Sequence, residues 1–168
     1  KVEDLEEKYE AYQYYLDAVK RDGVPYDLIT KALPTIEGEV NNILAQLVDF
    51  QMLFEMDGKN INNYIVYDDD NVWPLELSSG MERFISSLAI RVGLINVSNL
   101  PRSNFLAIDE GWGTMDSDNL NSVYSLFQYL KSQFQFTLIV SHIDSMRDAV
   151  DTLLEIKKEK DYSNIMFD

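Results

Sequence analysis

Cysteine is absent from the sequence, which excludes disulfide bonds and cysteine-ligated zinc sites. Long apolar runs are absent too: no stretch approaches the roughly 20 residues that a membrane-spanning helix needs. The first residues, KVEDLEEKYE, lack the features of a signal peptide. With only 7 glycines, the sequence also contains no G-x-x-x-x-G-K-[ST] phosphate-binding loop. We therefore expect a soluble chain without a P-loop, and the lack of cysteine is compatible with a reducing, intracellular location.

Basic residues are scarce relative to acidic ones. The 14 lysines and arginines face 29 aspartates and glutamates, for a formal net charge of −15. Contacts with phosphates need a basic surface, so we do not expect this chain to bind nucleic acid by itself. A length of 168 residues with 46% hydrophobic residues is nevertheless sufficient for one domain with a real core.

Residues 1–22 show the spacing of a heptad repeat. Apolar or aromatic residues alternate at intervals of four and three: Leu5, Tyr9, Tyr12, Leu16 and Val19. Three interpretations stay open: a segment of coiled coil, an ordinary amphipathic surface helix, and a surface on which a partner helix docks. Gly23-Val24-Pro25 is expected to end this helix.

In the middle of the chain, the spacing of apolar residues changes from a helical to a strand pattern. A helical pattern runs from Ile29 to Leu47, and Pro34 is expected to divide it into a short and a longer helix. Residues 50–75 then read as short strands that turn at Asp57-Gly58 and at the acidic run 68–70.

From residue 82 onward helical and strand patterns alternate. The apolar runs FLAID, TLIVS and TLLEIKK are separated by helical segments. This order predicts an α/β fold with a mainly parallel sheet that helices cover on both faces.

Three polar segments lie at the ends of these elements. Ser79-Gly80 opens a helix, where free N–H groups and the helix dipole suit a phosphate; the alternative is a simple N-cap. Asp109-Glu110 follows a buried strand, where carboxylates can hold Mg²⁺ and orient water; the alternative is a turn with solvated acids. His142, the sole histidine, follows the next strand, and a lone histidine is more often structural.

The order of these segments resembles that of the C-terminal half of an ABC-type ATPase. The run DEGWGTMDSDNL is similar to the Walker B and D-loop segment of the SbcC or Rad-fifty-type ATPases of double-strand-break repair, with Trp112 between two glycines. The segments SLAIRVGL, IVSHIDSM and LLEIKKEKDYSNI resemble the same family, so that the likeness covers residues 76–168. It implies the C-terminal half of an ABC/SMC-type ATPase head, with residues 1–22 as a coiled-coil stump and residues 23–168 as the C-terminal lobe.

By this resemblance, the signature segment contacts the γ-phosphate of ATP held by the opposite subunit. The family pattern LSGGE aligns with residues 78–82, which makes Ser79 and Gly80 the nucleotide contacts. Ser78 then replaces leucine and Met81 replaces the second glycine, whereas a frame shifted by one residue makes Ser78 the contact. Arg83 would couple the nucleotide state to movement of the signature helix.

The resemblance also implies roles for four residues of the later segments. Asp109 corresponds to the Walker B residue that holds Mg²⁺ through water, and Glu110 to the catalytic base. Asp116 corresponds to the D-loop aspartate, and His142 to the switch histidine. In this family the P-loop lies in a separate N-terminal lobe, so the chain alone is expected to be inactive.

The implied function is ATP hydrolysis between two engaged heads, with ATP and Mg²⁺ as cofactors, to control nuclease processing of double-stranded DNA ends in repair or recombination. The implied partners are the N-terminal P-loop lobe of the same protein, a second head, an SbcD (Mre-eleven-type) nuclease, and double-stranded DNA through the assembled complex. No membrane partner is expected, and cytoplasm, nucleoid and nucleus all stay open as locations. The alternatives are an SMC-type chromosome-organising head and a non-catalytic interaction fragment that acts through the heptad helix.

Overall fold

A computed structural model of the chain describes residues 2–58, 60–109, 120–160 and 162–167. The chain divides into two units, the first formed by Lys1–Ala45 with Asp49–Leu100 and the second by Gln46–Val48 with Pro101–Asp168. Within the described residues, no helix is both long and apolar enough to cross a membrane.

The first unit combines α-helices with an antiparallel sheet. Its described elements are α1 (Val2–Val19), α2 (Val24–Leu44), β1 (Gln51–Asp57), β2 (Asn60–Asp68), β3 (Asn71–Pro74), a 3-10 turn (Leu75–Leu77) and α3 (Gly80–Val97). The strands are ordered β1-β2-β3 and both pairs are antiparallel. Both predicted turns are confirmed: Asp57 pairs with Asn60 around Gly58, whose φ of 59° favours glycine, and the acidic run joins β2 to β3.

Helix α1 carries the heptad pattern but buries none of it. Leu5, Tyr9 and Tyr12 are 66%, 65% and 69% exposed, and no residue of α1 is buried. The predicted break is confirmed, because α1 ends at Val19 and α2 begins at Val24 with Pro25 in its first turn. The predicted division into a coiled-coil stump and a lobe stays a prediction.

Helix α2 is continuous through Pro34, so the expected division of this helix at the proline is wrong. A proline inside a helix removes one backbone hydrogen bond and clashes with the preceding turn. The buried residues lie on both sides of it: Leu33 precedes it, and Val40, Ile43 and Leu44 follow. Burial of this face on both sides of the proline offsets that cost.

Helices α2 and α3 form the core of the first unit at a close approach. A Cβ atom added at Gly93 would lie 3.0 Å from Cγ2 of Val40, and both residues are buried. Helix α2 also covers the edge strand β1: the Asn41 side chain accepts a hydrogen bond from the Met52 N–H at 2.7 Å and donates one to the Met52 carbonyl at 2.9 Å. Side chains of α2 thereby satisfy backbone groups that an edge strand otherwise exposes.

The second unit contains a β–α–β arrangement followed by a hairpin. Its described elements are β4 (Phe105–Asp109), α4 (Leu120–Gln133), β5 (Phe136–Val140), a 3-10 helix (Asp144–Ala149), β6 (Leu154–Glu159) and β7 (Tyr162–Phe167). The predicted parallel pairing is confirmed for β4 and β5. The third predicted strand, β6, pairs instead with β7 as an antiparallel hairpin.

The two faces of the β4–β5 sheet differ in burial among the described residues. Residues on one face of the pair are exposed, with Phe105 at 48%, Phe136 at 57% and Val140 at 47%. Ile108 points to the other face and is buried, as is the apolar side of α4. Among the described residues no segment covers the first face, so cover of both faces of this pair stays a prediction; apolar strand composition indicates that a face needs cover and not which segment provides it.

Candidate functional site

The two groups of predicted site residues lie in different units of the chain. Ser78, Ser79, Gly80 and Arg83 belong to the first unit, whereas Asp109 and His142 belong to the second. The predicted base Glu110 and the D-loop aspartate Asp116 lie outside the described residues. Each group is therefore described within its own unit.

Ser79 is the N-cap of α3 and closes a capping box. Its hydroxyl oxygen accepts a hydrogen bond from the Glu82 N–H at 3.3 Å, and its own N–H donates to Oε2 of Glu82 at 2.6 Å. Serine followed three residues later by glutamate is the sequence signature of this motif. The N-cap interpretation is thus confirmed. Because Ser79 Oγ acts as an acceptor here, its hydroxyl proton is still available for another bond.

Ser78 is engaged differently. Its hydroxyl donates to the Leu75 carbonyl at 2.7 Å, and the side chain is half-buried at the end of the 3-10 turn. Ser79 is exposed. The geometry favours the alignment in which Ser79, and not Ser78, is free to contact a ligand.

Tyr67 extends the capping box into the sheet, a link that sequence reasoning missed. Its hydroxyl donates to Oε1 of Glu82, so that both carboxylate oxygens of Glu82 accept hydrogen bonds at the start of α3. Burial, together with this hydrogen bond, raises the pKa of Tyr67 to about 12. Although burial opposes the shift, the bonds from Tyr67 and Ser79 hold the pKa of Glu82 below its ordinary value.

Arg83 follows in the first turn of α3. Its N–H donates to the Ser79 carbonyl at 3.0 Å, and its side chain is exposed. The N–H groups of the first helical residues have no partners within a helix. The start of α3 therefore combines an exposed serine hydroxyl with an exposed cationic side chain in the first turn, while the N–H groups of Glu82 and Arg83 are both paired with Ser79.

In the second unit, Asp109 and His142 come from the ends of paired parallel strands. Asp109 is the last residue of β4 and pairs in register with Val140, the last residue of β5. Ser141 and His142 follow directly, and Asp109 and His142 are both exposed. The structure thus brings the two predicted residues to the same edge of the sheet, the one formed by the carboxyl ends of β4 and β5. In open α/β sheets, ligands bind at this edge.

A tight turn holds the segment after β5. Ser141 Oγ accepts a hydrogen bond from the Ile143 N–H at 3.1 Å and donates to the buried sulfur of Met146 at 3.3 Å. His142 lies between these anchored positions. The serine therefore sets the path of the backbone that carries the histidine.

A magnesium ion at the carboxyl ends of β4 and β5 would meet the carboxylate of Asp109. No group of three or more histidines or acidic residues that could hold a metal occurs in the described ranges. Mg²⁺ keeps several waters and is commonly held by one or two carboxylates together with substrate phosphates. The exposed Asp109 carboxylate at the end of β4 fits such a site.

Comparison with known sequences finds relatives that are much longer than this chain. The chain is 36% identical over 171 residues to the uncharacterized protein R555 of Acanthamoeba polyphaga mimivirus, in a match that covers 92% of this chain and 13% of that protein. It is 31% identical over 93 residues to SbcC of the SbcCD nuclease from Staphylococcus aureus, in a match that covers 53% of this chain and 9% of that protein. The chain thus spans a small part of the curated relatives it matches. No family model matches the sequence.

Solved structures with the same fold are SMC heads. One structure, from work on the ATP-driven dimerization and DNA-stimulated activation of SMC ATPases, has a TM-score of 0.68 at 15% identity. The match covers 84% of this chain and 88% of that chain. The Smc head of Pyrococcus furiosus, with an extended coiled coil and bound to the C-terminal domain of ScpA, has a TM-score of 0.66 at 17% identity, over 98% of this chain and 42% of that chain. These likenesses confirm the predicted α/β head fold, and the sequence match to SbcC agrees with the predicted resemblance to an SbcC/SMC-like C-terminal head lobe.

Proposed function

We propose that this chain is the C-terminal lobe of an SbcC-like ATPase, which hydrolyses ATP between two engaged heads and so controls nuclease processing of double-stranded DNA ends. The observation that carries the proposal is the register of β4 and β5. It aligns Asp109 with Val140, so that Asp109 and His142 share one edge of a parallel sheet. The similarity to SbcC supports the choice of family.

At this edge, each residue has a distinct task. The carboxylate of Asp109 would hold Mg²⁺, which when bound neutralises charge that develops on the phosphates. Glu110 orients and deprotonates the attacking water, and His142 is placed to contact the terminal phosphate. Asp116 contributes from the D-loop. Phosphoryl transfer depends mainly on positioning and charge stabilisation, so a site assembled from several segments can catalyse it.

The signature contact comes from the first unit of a second copy. Ser79 is the N-cap of α3 and Gly80 is its first residue, so that the exposed Ser79 hydroxyl and the backbone N–H of Gly80 can bind the γ-phosphate of the opposite head. We place Arg83 beside this contact as the residue that couples nucleotide state to α3. ATP bound between the heads would thus hold them together, and hydrolysis would release them.

The phosphate cradle must come from another segment, because the 168 residues contain no P-loop. We propose that an N-terminal lobe of the same protein provides it. The exposed apolar face of β4 and β5, with Phe105 and Phe136 stacked at 5.5 Å between ring centroids, supports a further layer on this sheet.

Helix α1 is then the segment that continues into a coiled coil, and an SbcD-type nuclease is the proposed partner near its base. The exposed heptad residues of α1 are compatible with either role. Double-stranded DNA would be bound by the assembled complex, since the net charge of −15 disfavours binding by this chain alone.

The experiment that tests the proposal compares this chain with and without an N-terminal P-loop lobe. ATP turnover is expected only from the combination, because neither part holds a complete site. Measurable hydrolysis by the chain alone, or none by the complete protein, would refute the split site.

A second candidate is an SMC-type chromosome-organising head, which the fold likeness to SMC heads favours. One of these structures binds the C-terminal domain of ScpA. Pull-down of the complete protein with an SbcD-type nuclease and with a ScpA-type protein separates the two functions. Capture of the nuclease supports the repair function, and capture of the ScpA-type protein supports the alternative.

A further inference from the structure

Tyr67 lies where the antiparallel sheet meets the start of α3. It stands near the end of β2, at the irregularity in register between Val66 and Asp68. Its ring packs against the buried ring of Phe50, with centroids 5.7 Å apart and planes tilted by 59°. This packing restricts the ring and leaves its hydroxyl to reach α3.

The hydroxyl reaches the one side chain that closes the capping box. Oε1 of Glu82 accepts from Tyr67, while Oε2 accepts from the Ser79 N–H at 2.6 Å. The reciprocal bond, from the Glu82 N–H to Ser79 Oγ, is longer at 3.3 Å. The backbone of Ser79, from which its hydroxyl projects, is therefore held mainly by the carboxylate, whose rotamer Tyr67 restrains.

We propose that Tyr67 is a positioning residue for the signature contact: through Glu82 it holds Ser79 in the orientation that meets the γ-phosphate of the opposite head. This inference rests on the proposed function. It adds a residue outside the signature segment, 15 positions from Glu82 along the chain, that acts without touching nucleotide. A rigid second layer of hydrogen bonds is what keeps a contact within the tolerance that phosphoryl transfer needs.

Such a positioning role predicts a specific kinetic pattern. Ser79 acts on nucleotide bound by the opposite head, so loss of the Tyr67 hydroxyl should weaken head engagement and lower kcat. It should leave the affinity of each separate head for ATP unchanged. A decrease in kcat of about three- to tenfold is expected, with KM changed by less than about twofold, because a hydrogen bond to a charged group is removed without loss of the ring.

The experiment uses the complete protein that contains this chain and compares Tyr67→Phe with Tyr64→Phe. Tyr64 lies on the same strand, where it pairs with Leu53 and Pro74, and the substitution removes the same single atom. ATP hydrolysis, ATP-dependent dimerisation and thermal unfolding are measured for both variants. Only Tyr67→Phe should lower kcat and dimerisation while ATP binding by separate heads is retained.

A double-variant series tests the route through the carboxylate. Glu82→Ala removes the group through which Tyr67 acts, so Tyr67→Phe should have no further effect on kcat in that background. Additive losses would overturn the proposed route. An effect on thermal unfolding alone, with kcat and dimerisation unchanged, would overturn the positioning role and leave a structural bond.

Ser79→Ala separates failure of this role for Tyr67 from failure of the proposed function. If the complete protein neither hydrolyses ATP nor dimerises with it, and Ser79→Ala changes nothing, the proposed function itself is wrong. If Ser79→Ala abolishes engagement but Tyr67→Phe behaves like Tyr64→Phe, the function stands and the role of Tyr67 is wrong.

Discussion

Asp109 and Val140 are paired residues at the ends of two parallel strands. This pairing means that the residues which follow β4 and β5 leave the sheet at one edge. Asp109 supplies a carboxylate there, and His142 lies two positions beyond Val140. The register of β4 and β5 thus brings Asp109 and His142, which are distant in the sequence, into one candidate site. This agrees with ligand binding at the carboxyl ends of parallel strands.

Replacement of Glu110 tests the proposed catalytic role of this residue. In the complete protein, Glu110→Gln should lower ATP turnover by about 100-fold or more, because the variant cannot deprotonate water, while the heads stay engaged on bound ATP. Asp109→Asn should also lower turnover, but without accumulation of engaged heads, because Mg²⁺ is held less well. Turnover and size-exclusion chromatography with ATP distinguish the two variants. Unchanged turnover in Glu110→Gln would remove Glu110 from the role of base.

The heptad face of α1 can be tested by paired tyrosine substitutions. Tyr9→Ala with Tyr12→Ala should weaken binding of a nuclease partner, or pairing of the coiled coil, by about tenfold or more, because aromatic anchors often dominate an interface. The unfolding free energy of the chain should change by less than about 0.5 kcal/mol, since both side chains are exposed. Tyr14, which is 81% exposed and lies off the heptad positions, is the matched control. Equal losses from Tyr14→Ala would show that the heptad face has no special role.

Two glycines on the packed helices are expected to respond to alanine in opposite directions. Gly93→Ala places a methyl group 3.0 Å from Val40 and should destabilise the chain by roughly 1 kcal/mol after the gain in helix propensity. Gly38→Ala, on exposed α2 surface with no atom within 4 Å of the added group, should stabilise it by about 0.5–1 kcal/mol. Urea unfolding measures both. A stabilised Gly93→Ala would mean that α2 and α3 do not approach as closely as described.

The shifted pKa of Tyr67 predicts a loss of stability at alkaline pH. Because its pKa is raised to about 12 in the folded chain and is about 10 in an unfolded chain, Tyr67 contributes stability that is fully present below pH 10. That contribution should be lost as the pH rises toward 12. The carboxylates of Glu82 and Asp49 both oppose ionisation of this phenol.

Other tyrosines and lysines titrate over the same range, so the relevant quantity is the difference between the chain and its Tyr67→Phe variant. Urea unfolding at pH 9 and pH 11 should show a difference that shrinks at the higher pH. A difference that is the same at both values would contradict the assigned shift.

Much of the local structure was predictable from residue patterns. The break at Gly23 and the turns around Gly58 and the acidic run follow from short-range chemistry, and strands β4 and β5 follow from their apolar composition. The capping box could also be predicted, because Ser79 and Glu82 stand at the spacing that the motif requires. Each of these features depends on interactions within a few residues or on a strong repeating pattern.

Other features could not be predicted in the same way. Pro34 did not interrupt α2, because tertiary burial on both sides of it outweighed a local preference. The hydrogen bond between Tyr67 and Glu82 could not be predicted for a different reason, because β3 and two turns separate the two residues along the chain. Residue types alone do not show which side chains meet across such a distance.

The sequence by itself determined the alternation of helices and strands, the heptad positions of α1, the order of the motif residues and the absence of a P-loop, since these are properties of neighbouring residues. Only the tertiary structure decided the register that aligns Asp109 with Val140, the antiparallel pairing of β6 with β7, and the contact of Tyr67 with Glu82. These features depend on which distant segments bury each other's apolar surface. The free energy of that burial is summed over the whole packed chain, so no single segment determines it.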